Sequence, residues 1–373
     1  MDFSYNDNQS MLRDSVARFI EQQYDFDTRQ AIVRGERDNC WKQFAELGWL
    51  MVPFPEDLGG LGGSATDLLA IMEELGKGIV VEPFLASAVL GGGLVAAADS
   101  GERRERLVAE LIGGELQLAF AWAEPESRYE LADVQVQAER DGEHYVIRGR
   151  KAVVLNAPLA DRLIVAVRTS GDRYSREGVS LVYVDPGAEG VRMTPYDTVD
   201  GGKAAELVFE DVRVPVADRL GAEGAALPVI EKIMDRATVA LCAEAVGAMG
   251  VIFNKTLEYT RQRKQFGVPI ATFQALQHRM ADMFIECEQA KSITYMAAMQ
   301  LDHNDGTAPA AVSAAKSRVG KAARHVGEES VQLHGGIGVT EELDVGHYFK
   351  RLTTMQYLFG STDYHTTRFR QNS

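Results

Sequence analysis

In the C-terminal half of the chain, two short segments contain residue types that can bind a phosphate-bearing ligand. The segment RQRKQFG, residues 261–267, carries Arg263, whose planar guanidinium can pair with two phosphate oxygens. The same basic residues can simply cap a helix, because positive charge at a helix C-terminus complements its dipole. The segment VQLHGGIGVT, residues 331–340, has glycines that let a ligand approach the backbone or that only end a helix at Gly335. Taken singly, the first segment favours capping and the second is a weak signal of binding.

Other motifs for nucleotide or metal binding are weak or missing. GLGGSA, residues 60–65, is close to the dinucleotide fingerprint, but it follows prolines rather than a strand, so we interpret it as a loop. The sequence contains no GxxxxGK[ST] phosphate loop, no HExxH and no CxxC. Its three cysteines, Cys40, Cys242 and Cys287, are far apart. These observations predict no metal site and a reducing, cytoplasmic compartment with buried thiols.

A lone carboxylate is the clearest candidate for acid–base chemistry or for a buried ion pair. Between Ala237 and Ile252 the only charged residue is Glu244, in a stretch that is otherwise apolar nearly all round. Such a helix is buried in a bundle or an oligomer interface. A carboxylate there must be paired or neutral, so we expect a partner for Glu244 across the bundle or the interface.

Three zones of different periodicity must position these residues. Residues 1–115 and 222–373 have helical patterns, and residues 230–262 contain no proline and can form one long helix. In residues 116–221, apolar and polar residues alternate around Asp141-Gly142, which indicates a β-hairpin. LIVAVRT, VSLVYVDP and ELVFEDVRVP add strands with no helix of 10–15 residues between them. The zones predict an α+β protein: an N-terminal helical domain, a central antiparallel β module and a C-terminal four-helix bundle.

Composition and charge exclude several classes of function. The 373 residues include 46% hydrophobic and 25% charged residues, as in globular proteins, which rules out a disordered chain. With 39 Lys+Arg and 54 Asp+Glu, the net charge is 39 − 54 = −15, which disfavours nucleic acid or an anionic membrane as partner. The longest uncharged apolar stretch, residues 83–98, is too short to span a membrane, and the N-terminus lacks a signal-peptide pattern.

The order of the motifs along the chain resembles the acyl-CoA dehydrogenase family over almost the entire length. ELGWLMVPFPEDLGGLGGS, AWAEPES, FEDVRVPVADRLG, RQRKQFGVPIATFQALQHRMADM and VQLHGGIGVT followed by LFGSTDYH occur in the family's order. The N-terminal segments are most similar to small subunits of the pimeloyl-CoA dehydrogenase type. The resemblance implies the helix–β–helix fold, FAD as cofactor, and removal of two hydrogens from the α and β carbons of an acyl-CoA thioester.

The resemblance also implies which residues hold the ADP half of FAD, in a site that two subunits share. Arg263 matches the arginine that binds the pyrophosphate, and residues beside it and in the glycine segment match the family's other contacts. The matching positions are Gln265, Phe266, Phe273, Gln274, Gln332, Leu333, His334, Gly335 and Gly336.

By contrast, positions that match the family's isoalloxazine site have lost its hydrogen-bonding residues. Ala123 stands where a hydroxyl residue usually precedes Glu-Pro, and Tyr129 stands at a serine position. Val153 and Leu155 replace the usual Trp and Thr. Hydrogen bonds from these side chains to the ring are therefore expected to be absent.

The catalytic glutamate is missing at both positions where the family places it. Phe359 stands before Gly360-Ser361 at the usual position, and Ala237 occupies the alternative position on the long helix. Asp235 lies about 200° around the helix from Ala237, and Glu244 lies about 10 Å along the axis, so neither is expected to reach the same carbon. We therefore predict no catalytic residue in this chain, with Glu244 or Asp235 as an alternative base.

The sequence matches the family at the ADP-half positions but not at the ring and base positions, and three hypotheses of function follow from this contrast. The leading one is a non-catalytic subunit of an α2β2 acyl-CoA dehydrogenase, whose homologous partner carries the glutamate and whose electrons pass to an electron-transfer flavoprotein. The second is a homomeric enzyme with a relocated base, and the third is a flavin-free acyl-CoA-binding or scaffold protein. Dicarboxyl, branched and steroid side-chain thioesters all remain open as substrates.

Overall fold

The computed structural model describes residues 5–303 and 306–372 of the chain. The chain forms two compact units, each built from separate stretches of sequence. The bundle unit comprises Met1–Asp38, Ser64–Val81 and Thr238–Ser373, and the sheet unit comprises Asn39–Gly63 and Glu82–Ala237. The sequence zones 1–115, 116–221 and 222–373 stay a prediction of domain bounds.

The N-terminal zone is helical, as predicted, and its helices divide between the two units. α1 and α4 begin at side-chain caps, since Asn6 forms a capping box with Gln9 and the Ser64 hydroxyl accepts the Asp67 N–H at 2.9 Å. Residues 84–92 form a buried π-helical segment. The bounds are α1 Asp7–Gln23, α2 Phe26–Val33, α3 Trp41–Glu46, α4 Ala65–Lys77, α5 Gly93–Ala98 and α6 Gly101–Ile112.

Within the described residues, eight strands of the sheet unit form one sheet in the order β6-β7-β3-β2-β4-β5-β8, with β1 on β4. The predicted hairpin is confirmed as β2 and β3, which pair from Asp141 opposite His144. Most pairs are antiparallel, but β1 runs parallel to β4, and β2 meets β4 in parallel at one position. Alternation of apolar residues could not reveal the parallel pairs, because strand period is the same in both arrangements. The bounds are β1 Leu118–Ala121, β2 Gln137–Asp141, β3 His144–Leu155, β4 Arg162–Arg168, β5 Val179–Val184, β6 Val191–Asp197, β7 Lys203–Pro215 and β8 Arg219–Leu220.

The C-terminal zone contains five helices in its described residues, one more than the predicted four. α9 packs against α8, α10 and α11. The additional helix, α11, is short and polar, so its sequence carries a weak apolar pattern. The bounds are α7 Leu227–Gln262, β9 Lys264–Gln265, β10 Val268–Pro269, α8 Gln274–His303, α9 Ala308–His334, α10 Asp344–Tyr357 and α11 Thr362–Asn372.

Helix α7 is the single long helix that the sequence predicted. A Cβ on Gly247 would lie 1.8 Å from the Glu73 carbonyl oxygen, so only glycine lets α7 approach α4 this closely. By length and composition α7 could cross a membrane, but 78% of its most apolar window is buried. Core helices of globular proteins have the same properties.

Candidate functional site

A tight hairpin follows the end of α7 and presents the predicted phosphate-binding residues. Strands β9 and β10 are joined by Phe266-Gly267, whose φ angles are 55° and 84°. Two positive φ angles in a two-residue loop match a type I′ turn. The Arg263 N–H donates to the Tyr259 carbonyl oxygen at 2.8 Å, which continues the helical hydrogen-bond pattern into the hairpin. The hairpin therefore extends directly from the helix.

The side chains on this hairpin are exposed. Within residues 5–303 and 306–372, the Arg263 guanidinium has no hydrogen-bond or ion-pair partner. Phe266 is 92% exposed and lies edge-on to Phe273, with ring centroids 6.2 Å apart. A left-handed conformation costs a non-glycine residue about 1–2 kcal/mol. A strained, exposed phenylalanine beside an unpaired arginine is typical of a binding surface.

The second predicted segment forms a glycine turn directly after α9. Gly335 has a φ of 67° and begins a short helical turn over Gly335–Val339. A Cβ on Gly335 or Gly336 would meet nothing within 4 Å, so open space adjoins the backbone. Gln332 is exposed, whereas Leu333 and His334 are buried. Of the predicted contacts in this turn, those two side chains face inward.

The structure brings the two segments to the same end of the bundle unit. The His334 ring stacks on Tyr259 with centroids 4.4 Å apart, and its Nδ1–H donates to the Ser330 carbonyl oxygen at 2.8 Å. Burial lowers the pKa of His334, which therefore stays neutral near pH 7. An unpaired arginine, exposed glutamines and an open glycine turn fit the phosphates and ribose of a dinucleotide. These residues fit the ADP half of FAD.

The positions predicted for the isoalloxazine half do not offer the same chemistry. The Ala123 carbonyl oxygen already accepts the Ala152 N–H at 2.8 Å. Val153 has a φ of 50°, and its N–H donates to the Glu206 carboxylate at 3.1 Å. Ala123, Val153 and Leu155 carry no side-chain donor. The side chains at these three positions therefore offer no hydrogen bond to a flavin ring.

A buried ion pair lies beside these positions. Lys151 Nζ donates to Glu124 Oε1 at 2.8 Å and to the Trp122 carbonyl oxygen at 3.0 Å. The Glu124 carboxylate also accepts the N–H groups of Gln135 and Val136 at 2.9 and 3.1 Å. Burial lowers the pKa of Lys151, and Glu124 opposes that shift. Both side chains make hydrogen bonds within the fold, so neither is a candidate base.

Neither expected base position holds an acid, and the Glu244 carboxylate on α7 is paired. Ala237 and Phe359 are 0% and 6% exposed. Glu244 Oε1 accepts Arg351 Nε at 2.8 Å and Arg351 Nη2 at 2.6 Å. This is the buried partner that the apolar helix led us to expect. Asp235 is also buried.

Two further basic side chains, Lys316 and His365, donate hydrogen bonds to the turn at Phe359. Lys316 Nζ donates to the carbonyl oxygens of Met355, Gln356 and Gly360 at 2.9, 3.1 and 2.8 Å. His365 Nε2–H donates to the Phe359 carbonyl oxygen at 3.0 Å. Burial lowers the pKa of Lys316 to about 8 and that of His365 to about 3.

Several residues that organise these sites have no clear signal in the sequence. Lys151 and Arg351 gave no local signal, because their partners are 27 and 107 residues away in the sequence. Lys255 and Tyr259 could have been noticed, since they precede Arg263 at intervals of four along α7.

Three family models together match most of the chain. They are the acyl-CoA dehydrogenase N-terminal domain at residues 6–115, the middle domain at 119–212 and the C-terminal domain at 226–372. A similar protein is the probable acyl-CoA dehydrogenase YngJ of Bacillus subtilis (strain 168), 30% identical over 97% of each chain. The solved FAD complex of PigA has a TM-score of 0.92 at 27% identity, covering 100% of this chain and 98% of that one. The ChsE4-ChsE5 complex from Mycobacterium tuberculosis has a TM-score of 0.89 at 25% identity, covering 100% and 98%.

Proposed function

Because the chain belongs to the acyl-CoA dehydrogenase family, FAD-dependent oxidoreductases that act on a CH–CH bond, we propose that it is the non-catalytic subunit of a heteromeric member. In this proposal the chain supplies the ADP half of each shared FAD site. A homologous partner chain supplies the isoalloxazine pocket and the catalytic glutamate. The assembly is an α2β2 heterotetramer with one function divided between two kinds of subunit.

The proposal rests on the contrast between the open ADP-half residues and the apolar base positions. The ADP-half residues stand open, with Arg263 unpaired among the described residues. Both positions at which the family places its base are apolar and buried, at Ala237 and Phe359. A thioester α-proton is weakly acidic and needs an ionised base in contact with it, which these side chains cannot provide.

The residues of this chain would bind and orient the cofactor rather than react with it. The Arg263 fork can bind two pyrophosphate oxygens, and the open backbone at Gly335 and Gly336 lets the adenosine side come close. Gln265, Gln274 and Gln332 are exposed amides that can bond to polar groups of the ligand. When bound, the flavin supplies the redox chemistry of the family.

The partners in this proposal follow from the family and from one solved neighbour. The ChsE4-ChsE5 complex pairs two differently named chains, which supports a heteromeric arrangement for a chain of this fold. The proposed substrate is an acyl-CoA thioester, the electron acceptor is an electron-transfer flavoprotein, and the location is the cytoplasm.

The test compares the full chain purified alone with the chain co-expressed with a homologue that carries glutamate at one of the two base positions. We expect little flavin and no turnover from the chain alone, and a yellow, active complex from co-expression. Full flavin occupancy with turnover in the chain alone would refute the proposal. A flavin-free scaffold would stay colourless in both preparations.

A homomeric enzyme that uses Glu244 is the competing function, and a pair of variants separates it from a structural role. In Glu244→Gln the Arg351 guanidinium loses its ion pair with the Glu244 carboxylate, so stability falls whatever the mechanism. The double variant Glu244→Gln with Arg351→Met removes both charges and should recover stability. We expect the co-expressed double variant to be active, whereas a base at Glu244 requires it to be inactive with flavin bound.

A further inference from the structure

The face of α7 that leads to Arg263 also contacts two residues that flank the glycine turn after α9, one on each side of it. Lys255, Tyr259 and Arg263 follow one another at intervals of four residues, which places them along one stripe of the helix. Lys255 Nζ lies 2.9 Å from Asp344 Oδ2, and Tyr259 stacks on His334. Neither contact involves a residue of the turn itself.

The two contacts bracket the glycine turn. His334 is the last residue of α9, and Asp344 is the first residue of α10. The intervening residues 335–343 thus leave the α7 face at His334 and return to it at Asp344. Inside the bracket the turn folds back on α9, because a Cβ on Gly338 would lie 3.0 Å from His334 Cβ.

The Tyr259–His334 stack and the Lys255–Asp344 ion pair differ in strength. The stack is partly enclosed, since His334 is 5% exposed and is anchored through Nδ1 to Ser330. Aromatic pairs of this kind contribute beyond their buried area. The Lys255–Asp344 pair is more open, with Lys255 42% exposed, and pairs of that kind contribute little. Tyr259 is therefore the main point of attachment.

We propose that Tyr259, assisted by Lys255, is a positioning residue for FAD that fixes the glycine turn in register with the Arg263 fork. This inference rests on the proposed ADP-half site and names residues that do not themselves contact the cofactor. A ligand that spans both segments needs them at a fixed separation, and these side chains of α7 contact the residues that flank the glycine turn.

The experiment uses the full chain and ADP as the probe. We expect Tyr259→Ala to weaken ADP binding about tenfold and to speed amide hydrogen exchange in residues 331–343. Tyr259→Phe keeps the stacked ring and should bind ADP within twofold of the wild type. Tyr295→Ala is the matched control, because it removes a tyrosine of the same unit that bonds to Glu73 instead.

Arg263→Ala separates the positioning claim from the site itself. We expect this variant to lose ADP affinity with unchanged exchange in residues 331–343. If it binds ADP like the wild type, the proposed ADP-half site is wrong. If it loses binding but Tyr259→Ala stays within twofold of the wild type, the site stands and the positioning role is refuted. Should Tyr259→Ala fail to fold, Tyr259→Leu removes the stack on His334 but keeps an apolar side chain, and unaltered exchange in residues 331–343 of that variant would equally refute the positioning role.

Discussion

Two polar regions of this molecule are built in opposite ways. At the end of the bundle unit, Arg263 projects from a strained hairpin, and within the described residues nothing in the chain neutralises it. In the sheet unit, Lys151 and Glu124 bond to each other and to three backbone groups. In the first region the hydrogen-bonding groups of the arginine stay unpaired among the described residues, and in the second region the fold itself uses them.

The two regions show that an ion pair needed by the fold and an arginine open to a ligand can lie in one chain. Buried charges stabilise a fold only when every partner is present, so the Glu124–Lys151 pair must be kept even where no ring is bound. An exposed arginine beside a strained turn contributes little to stability, at most through the helix dipole, so a bound ligand explains its unpaired guanidinium better than the fold does. The unpaired arginine is therefore more informative about function than the buried ion pair.

The largest expected effect is on the buried pair. Lys151→Met leaves the Glu124 carboxylate without its counter-charge, and loss of one partner from a buried pair costs about 3–5 kcal/mol of unfolding free energy. Urea unfolding measures it. Lys151→Met combined with Glu124→Gln is the control and should recover most of the loss; a single variant that costs less than about 1 kcal/mol would mean the pair is unimportant.

A smaller and different effect is expected at the open region. Arg263→Ala should change the unfolding free energy by less than about 0.5 kcal/mol, because the side chain makes no internal contact. It should weaken ADP binding by about 2 kcal/mol, roughly 30-fold, as charged hydrogen bonds to phosphate are lost. Arg261→Ala, also exposed near the end of α7, is the calorimetric control and should bind ADP normally. Equal losses in both variants would indicate a general charge effect instead.

Acid should destabilise the bundle unit through His365. Its pKa is about 3 in the fold against 6.5 when unfolded, because burial disfavours the charged ring. Between these values the unfolded state binds more protons, so stability falls as the pH falls from 6.5 toward 3, by at most about 1.4 kcal/mol per pH unit. The variant His365→Gln has no ionisable side chain at this position. Its unfolding free energy, measured against pH, should fall less steeply than that of the wild type; parallel curves would contradict the assignment.

The smallest effect sharpens the contrast between stability and binding. Phe266→Gly relieves a left-handed conformation and should raise the unfolding free energy by about 0.5–1 kcal/mol, while weakening FAD binding. Phe273→Gly, where no positive φ is present, serves as the control and should not stabilise. Thermal unfolding and flavin titration measure both quantities, and a destabilised Phe266→Gly would show that the hairpin is not strained.

Much of the fold could be predicted because its signals are local. Period and proline spacing predicted α7, and the Asp-Gly pair predicted the β2–β3 hairpin. Strands β1 and β6 were missed, because β1 has only four residues and β6 contains a proline and places only Val191 and Met193, both partly buried, against the core. The parallel pairing of β1 depends on contacts with β4, which lies more than 40 residues away.

The candidate site was less accessible to sequence reasoning. The partner of Glu244 was expected in kind, but Arg351 is 107 residues away and no local pattern identifies it. Leu333 and His334 were assigned to the cofactor by resemblance, yet their side chains face inward. Which side of a helix end is open depends on packing that the sequence alone does not specify.

Comparing ADP and riboflavin as ligands of the full wild-type chain tests whether the chain binds the ADP half of FAD and not the flavin ring. Each represents one half of FAD, and riboflavin carries no phosphate for Arg263 to bind. We predict that ADP binds in a calorimetric titration and that riboflavin fluorescence is unchanged by the protein. Quenching of riboflavin by stoichiometric binding, with no binding of ADP, would contradict the account.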